Sequence, residues 1–394
     1  TGQQTNDFDL CNVEHANLVI CWGMNWITTK MPDSHWLTEA RLKKTKVVVI
    51  AAEYSATMCK ADEGLIVRPG TTPALALGMC YVLLKEKKAD LGYLQKNTDM
   101  PLLIRDDTKE LLKARDVFPN YKNKKLKHGI QIIKKGEQIA PLDQAGPIIT
   151  EEMRKEWGDF VVWDGQVKAI SRDEMGAQFP KGLNPALEGS YKVTLVDGSK
   201  ILARPVFDHM KKLIMDSYDP DTVSEITWAP KKGIYSIARQ IAENHGKTLL
   251  VIGMGPNQFF NSDLKDRATF LLAAMTGNIG KVGGNIGAYA GNYRAAYFSG
   301  LGNYIAENPF KPTMDPKAKV AKRKCWKGES VHYWNHGDTV LRMGKTLLTG
   351  KSHIPTPTKS IHVSNSNSLI GNAKGHYDTV VNTLKKTEFL GVNE

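Results

Sequence analysis

The sequence predicts an α/β fold, with two doubly wound, Rossmann-like parallel portions and a mixed α+β insertion between them. Three observations carry this expectation. The runs Leu18-Val19-Ile20-Cys21-Trp22, Val47-Val48-Val49-Ile50 and Leu249-Leu250-Val251-Ile252 are apolar at every position, as in strands buried on both faces of a parallel sheet. A segment able to form a crossover helix lies between the first two. The turns that follow the runs carry Gly, Asn and Thr, at the strand ends where open parallel sheets bind ligands.

The first cofactor-binding portion spans 1–110. Leu18–Trp22 stops at Gly23, and 34–44 is suited to a helix, with Asp33 after Pro32 as its structural cap. Leu65-Ile66-Val67 forms a third strand, closed by Pro69-Gly70. Thr72 caps the next helix with Pro73 at its first position, and the Leu- and Ala-rich body runs from Ala74 to Lys85.

Residues 111–240 are a mixed insertion or connecting region punctuated by Lys, Pro and Gly. Asp164-Gly165 and Asp197-Gly198 mark hairpin turns after alternating strands. The second α/β portion, 241–394, opens with the strand Leu249–Ile252 and the turn Gly253-Met254-Gly255. Ser262 caps a helix with its body at Lys265–Met275. A glycine-dense loop runs from Gly277 to Gly302, and a polar, basic stretch fills 303–358. A last strand is expected at Ser360–Val363 and a helix at Tyr377–Leu384.

The 394 residues suffice for two or three cores. No run approaches the roughly 18 apolar residues of a membrane-spanning helix. The net charge of +12 gathers in clusters such as Lys122, Lys124, Lys125 and Lys127, and Lys319, Lys322, Arg323 and Lys324. Solvated loops account for them, and an anionic ligand or acidic partner is the sharper alternative. No nucleic-acid-binding motif accompanies the charge. The five cysteines lack CxxC spacing, so no zinc or iron–sulfur site is expected within the chain. Cys21 and Cys80 belong to apolar runs and to the core. The start at Thr1, without Met or a leader pattern, and the end at Glu394 suggest an internal piece of a longer protein.

The chemistry is expected at the strand-end loops. They present Gly23 and Asn25, then Gly70 and Thr71, then Gly253, Gly255 and Asn257, and finally Ser366, Asn367 and Gly371. Glycine lets backbone N–H groups approach a phosphate closely, and four such loops suit one large polyphosphate ligand. A nicotinamide dinucleotide is disfavoured, because Gln258 stands where the fingerprint after Gly253-x-Gly255 needs glycine. His35 and Glu39, four apart on a helix, read as a surface pair, since no second His completes a metal motif. His376 is either a polar cap or a functional group. Chain order alone supports no catalytic triad.

At these residues the chain resembles the molybdopterin oxidoreductase (DMSO reductase) superfamily. Trp22-Gly23-Met24-Asn25 with Thr29 and Pro32-Asp33 resembles its WGxN…T…PD segment. Arg68-Pro69-Gly70-Thr71 with Ala74–Met79 is similar to RPGTDxALALGM, and Thr98-Asp99-Met100-Pro101 matches just downstream. Gly253–Asn257 resembles the GxGxN loop, and Thr276–Gly280 with Gly283-Gly284 the TGNIGxxGG loop. Ser366-Asn367, Gly371 and Lys374-Gly375-His376 resemble the last cofactor segment. Ala290–Tyr293 and Phe160–Asp164 look most like the nitrite oxidoreductase and nitrate reductase alpha subunits and their perchlorate, chlorate and selenate reductase relatives.

The resemblance implies molybdenum held by two molybdopterin guanine dinucleotides. It also implies a 4Fe-4S cluster and a molybdenum-ligating Asp, both upstream of Thr1. Carried over by position, the cofactor contacts are Trp22, Gly23, Asn25, Thr29, Asp33, Glu53, Gly70, Thr71, Gly253, Gly255, Asn257, Gly284, Asn292, Asn367, Gly371 and Lys374, and no metal ligand is among them. The implied reaction is oxygen-atom transfer interconverting nitrite and nitrate. Alternatives are another oxyanion reductase or a molybdenum-free structural or electron-relay relative. The implied partners are an iron–sulfur beta subunit and a haem or membrane-anchor subunit, in a membrane-associated complex. The chain departs from the pattern at Thr72-Pro73, where the family usually has Asp, and at Ala52, Gln258 and Tyr289.

Overall fold

The computed structural model describes residues 10–126, 131–133, 138–139, 148–176, 179–259, 262–288 and 323–324. Its centre is a parallel five-stranded sheet. In chain order the main elements are β1 (Leu18–Trp22), α1 (Ser34–Leu42), β2 (Lys46–Ala51), β3 (Glu63–Ile66) and α2 (Thr72–Lys85). The next strands are β4 (Leu103–Arg105), β5 (Phe160–Trp163), β6 (Val167–Ile170), β7 (Tyr191–Thr194) and β8 (Lys200–Pro205). Three helices follow: α3 (Val206–Ser217), α4 (Pro220–Thr227) and α5 (Lys231–Glu243). Then come β9 (Thr248–Ile252), α6 (Ser262–Met275) and β10 (Asn285–Ala288).

The sheet order is β10-β9-β1-β2-β3, every pair parallel. From β1 the chain builds outward through β2 and β3, then returns to add β9 on the other side of β1. The order therefore reverses between β1 and β9, the kind of switch point at whose carboxyl edge open parallel sheets bind ligands.

Both faces of the sheet are covered, which explains why its strands show no alternation. Leu18, Ile20, Trp22, Val48, Ile50, Leu250 and Ile252 share one buried cluster with α2, α3, α4, α5 and α6. Val19, Cys21, Val47, Val49, Leu249 and Val251 lie on the other face with Trp26 and with Leu37 and Ala40 of α1. Cys21 and Cys80 are fully buried core residues, and this burial pushes the Cys21 thiol up to about 12 and raises that of Cys80 as well. His35 and Glu39 form the expected exposed pair, 3.7 Å apart.

Some elements go beyond the sequence pattern. Within 206–243, α3, α4 and α5 pack in the same core as the sheet. Ile234, Ile237, Ala238 and Ile241 form the apolar stripe of α5. The loop expected from Gly277 to Gly302 contains β10, a four-residue strand that β9 holds in register. Thr72 is the first helical residue of α2 and Thr71 takes the cap position. Asp33 does sit at the cap of α1, but without a side-chain capping bond.

Two antiparallel sheets follow, β7-β8-β4 and the β5-β6 hairpin around Asp164-Gly165, and the short strands 131–133 and 148–150 pair in parallel. The buried brace of this region is Arg154, whose guanidinium donates to Asp159 and to the carbonyls of Gly158 and Lys124. Tyr121 also donates to Asp159 at 2.8 Å, and burial with this bond raises the phenol's pKa. The expected strand at 360–363 and helix at 377–384 lie outside the described residues.

Candidate dinucleotide cleft at the sheet switch point

The switch point between β1 and β9 is built largely from backbone. Gly23 follows β1 with φ +63, a left-handed conformation open to glycine at little cost. An added Cβ there would overlap the Pro256 ring, and one on Gly253 would overlap the Gly23 carbonyl oxygen. The Gly253 N–H donates to Trp22 O at 2.8 Å and the Gly23 N–H to Ile50 O at 2.7 Å. The ends of β1, β2 and β9 are thereby fastened together, with Gly23 and Gly253 meeting backbone to backbone and the Pro256 ring packed against Gly23.

Asn25 ties this edge to the loop after β2. Its Oδ1 accepts from the Thr57 hydroxyl at 2.9 Å and the Thr57 N–H at 3.3 Å. The Ile27 N–H donates to the Thr57 hydroxyl at 3.0 Å. These bonds fix the carboxamide plane and leave its nitrogen as the group that can face a ligand. Thr57 is fully buried, and the sequence pattern gave no signal for it, because its role depends on a contact across 32 residues. Thr29 donates back to Asn25 O. The carbonyl of Asp33 accepts from the indole of Trp26.

Glu53 is exposed just after β2. Gly70, after β3, has φ +81, and its Cβ position lies 3.4 Å from the Phe259 ring. The Thr71 hydroxyl donates to Arg68 O at 2.6 Å, closing that turn. Gly255 and Asn257 occupy the short turn after β9. The carboxyl edge thus gathers Trp22, Gly23, Asn25, Glu53, Gly70, Thr71, Gly253, Gly255 and Asn257.

Gly284 lies elsewhere. It precedes β10 at the amino edge of the sheet, about five residues or ~17 Å along the strands from Gly23. A Cβ there would meet the carbonyl oxygens of Gly246 and Asn278 at 2.7 and 2.8 Å, so its smallness serves chain packing. Asn292, Asn367, Gly371 and Lys374 lie outside the described residues.

The donor set fits a phosphorylated organic ligand. Among the described residues, no hydrogen bond engages the backbone N–H of Met24, Asn25 or Gly70. The buried indole N–H of Trp22, at the end of β1, likewise has no partner there. Backbone and indole N–H groups and a carboxamide suit phosphate, ribose and heterocycle oxygens. No group of three or more His, Cys, Asp or Glu side chains suited to a metal ion occurs among the described residues.

Known proteins carry the same arrangement of sequence. The perchlorate reductase subunit alpha of Dechloromonas aromatica is 34% identical over 309 residues, 76% of this chain and 31% of that one. The respiratory nitrate reductase subunit alpha of Haloferax mediterranei is 31% identical over 299 residues, 76% of this chain and 28% of that one. The respiratory nitrate reductase 2 alpha chain of Escherichia coli is 26% identical over 359 residues, 74% of this chain and 28% of that one. The chain therefore spans less than a third of the length of these relatives. The family model described as "Molybdopterin oxidoreductase" matches residues 1–386. That match takes in every strand of the parallel sheet and both loops of its switch point, and the chain belongs to the molybdopterin oxidoreductase family.

Proposed function

We propose that this chain forms part of the cofactor cradle of a respiratory-type subunit that interconverts nitrite and nitrate. Membership of the family implies a molybdenum–molybdopterin cofactor. The finer form we propose is the bis(molybdopterin guanine dinucleotide), with a 4Fe-4S cluster and the metal ligand supplied by other parts of the full-length subunit. When bound, this group supplies two-electron oxygen-atom transfer.

The residues of this chain bind and orient. The N–H groups of Met24, Asn25 and Gly70 face phosphate or ribose oxygens, and Asn25, held by Thr57, offers its amide nitrogen. Glu53 accepts from a ribose hydroxyl. Thr29, Asp33, Thr71, Gly255 and Asn257 line the same edge, and Gly284 shapes the opposite one. Rigid, preorganised donors suit such a site, because the cofactor carries the chemistry and the protein sets its position and electrostatics. The observation that carries this proposal is the backbone-only meeting of Gly23 and Gly253 at the switch point.

An iron–sulfur beta subunit and a haem or membrane-anchor subunit complete the proposed complex. No described helix is long and apolar enough to cross a membrane. The 34% identity to a perchlorate reductase subunit favours a second reading, reduction of perchlorate, chlorate or selenate.

The test is metal analysis of the full-length assembled subunit, followed by turnover assays with nitrite, nitrate, chlorate, perchlorate and selenate. Nitrite–nitrate turnover with bound molybdenum is expected. Chlorate turnover without nitrite or nitrate turnover moves the assignment to the second reading. A folded, assembled and molybdenum-free subunit overturns both in favour of a structural or electron-relay role.

A further inference from the structure

Among the described residues, Trp228 is the one aromatic residue with a left-handed backbone. It ends α4 in the left-handed conformation, φ 61 and ψ 3, where a helix usually places glycine or asparagine. Its side chain is 66% exposed, while its neighbours Thr227 and Ala229 are fully buried. A bulky residue kept in an unfavourable backbone conformation persists only where its surroundings over-determine it, and such positions cluster at functional sites.

The surroundings do fix it. The Trp228 N–H donates to Ser224 O at 2.9 Å. The Ser224 hydroxyl donates to Ala229 O at 2.7 Å, and the Thr227 hydroxyl to Val223 O at 2.7 Å. The Arg68 N–H donates to Thr227 O at 2.7 Å, so the turn after β3 is fastened to the end of α4. The Arg68 guanidinium then lies over the indole, 5.5 Å from its centroid. Arg68 itself is exposed and stands two residues before Gly70, in the turn that Thr71 closes.

An exposed indole backed by a guanidinium, on a rigid turn at the ligand-binding edge of the sheet, has the chemistry of a stacking platform. It offers a flat π-face, and the adjacent positive charge attracts a phosphorylated ligand. We propose that Trp228, held by Arg68, stacks on the purine base of the dinucleotide bound at this edge. This assignment rests on the dinucleotide reading above and adds a base-recognition residue to it. The occupant is a nucleobase, because the platform adjoins the glycine turn at Gly70 and couples a cation to an aromatic face.

The test uses the full-length subunit in its native complex, prepared with and without cofactor. Trp228→Gly removes the indole and relieves the left-handed strain, so its thermal midpoint is expected to equal or exceed the parent's. The cofactor-free complex is titrated with GMP and, as a control lacking the base, ribose 5-phosphate. W228G is expected to weaken GMP binding by roughly 5- to 100-fold, the range for loss of one base–aromatic stack. Ribose 5-phosphate binding should stay within about 2-fold, the control expectation for a contact made to the base alone. Trp228→Phe should restore most of the GMP affinity. GMP binding unchanged in W228G overturns the proposal, as does an equal loss for both ligands. Release of the partner subunits by W228G with GMP binding intact would make Trp228 a subunit contact instead. If the denatured parent holoenzyme releases no guanine nucleotide, the dinucleotide reading itself fails and this assignment falls with it.

Discussion

An added Cβ on Gly253 would overlap the carbonyl oxygen of Gly23, so the loops after β1 and β9 meet backbone to backbone. Gly253→Ala should therefore force the two strand ends apart. The expected cost is about 1–3 kcal/mol, typical of overpacking in a site that cannot move freely. Chemical denaturation of the full-length subunit measures it. Molybdenum and guanine nucleotide content should fall in parallel, and full retention of both would show that the loops tolerate separation without losing the ligand.

Thr57 makes a second prediction. Thr57→Val keeps the shape but removes the hydroxyl that Asn25 accepts from and Ile27 donates to. Leaving these buried or half-buried groups unpaired should cost about 1–3 kcal/mol. Urea denaturation checks the stability, and the cofactor content of the same variant checks whether the Asn25 orientation matters for binding.

The buried Arg154–Asp159 pair predicts an asymmetry between single and double changes. The side chains are 9% and 0% exposed. Arg154→Met alone strands a buried carboxylate and should cost roughly 3–5 kcal/mol. Combining it with Asp159→Leu should recover much of that loss. Equal destabilisation in single and double variants would mean that packing, and not charge, dominates the brace.

Acid stability should depend on Glu86, which links the end of α2 to α5. Arg239 donates to it at 2.7 and 3.0 Å, and this bond leads the lowering of its pKa from 4.5. A carboxylate with a depressed folded pKa contributes stability above its unfolded pKa, and loses it as pH falls through the folded value. Denaturation midpoints of wild type should thus decline below about pH 4.5 more steeply than those of Glu86→Gln. Parallel declines would assign the acid sensitivity to other carboxylates.

Much of the fold was legible in the residues themselves. β1, β2 and β9 are short and wholly apolar, and only a two-sided layer buries such runs. The glycines after them mark turns by their backbone freedom, so the carboxyl-edge site could be assembled from Gly23, Asn25, Gly70 and Gly253. The Asp-Gly turns likewise announced the two hairpins of the insertion. By contrast, β10 was hidden because four residues with a central Gly287 carry no pattern of their own.

What the sequence determined alone was local: which runs are buried, where the chain must turn, and which motifs resemble a family. The tertiary structure decided what depends on distant partners. It set the switch point between β1 and β9, which are more than 200 residues apart in the chain. It placed Gly284 at the amino edge of the sheet, opposite Gly23 and Gly253, clamped Asn25 with Thr57, and set Arg68 over Trp228. The physical reason is that apolar periodicity reports only whether a residue is buried. Strand order and side-chain pairing are fixed when separate layers close on one core.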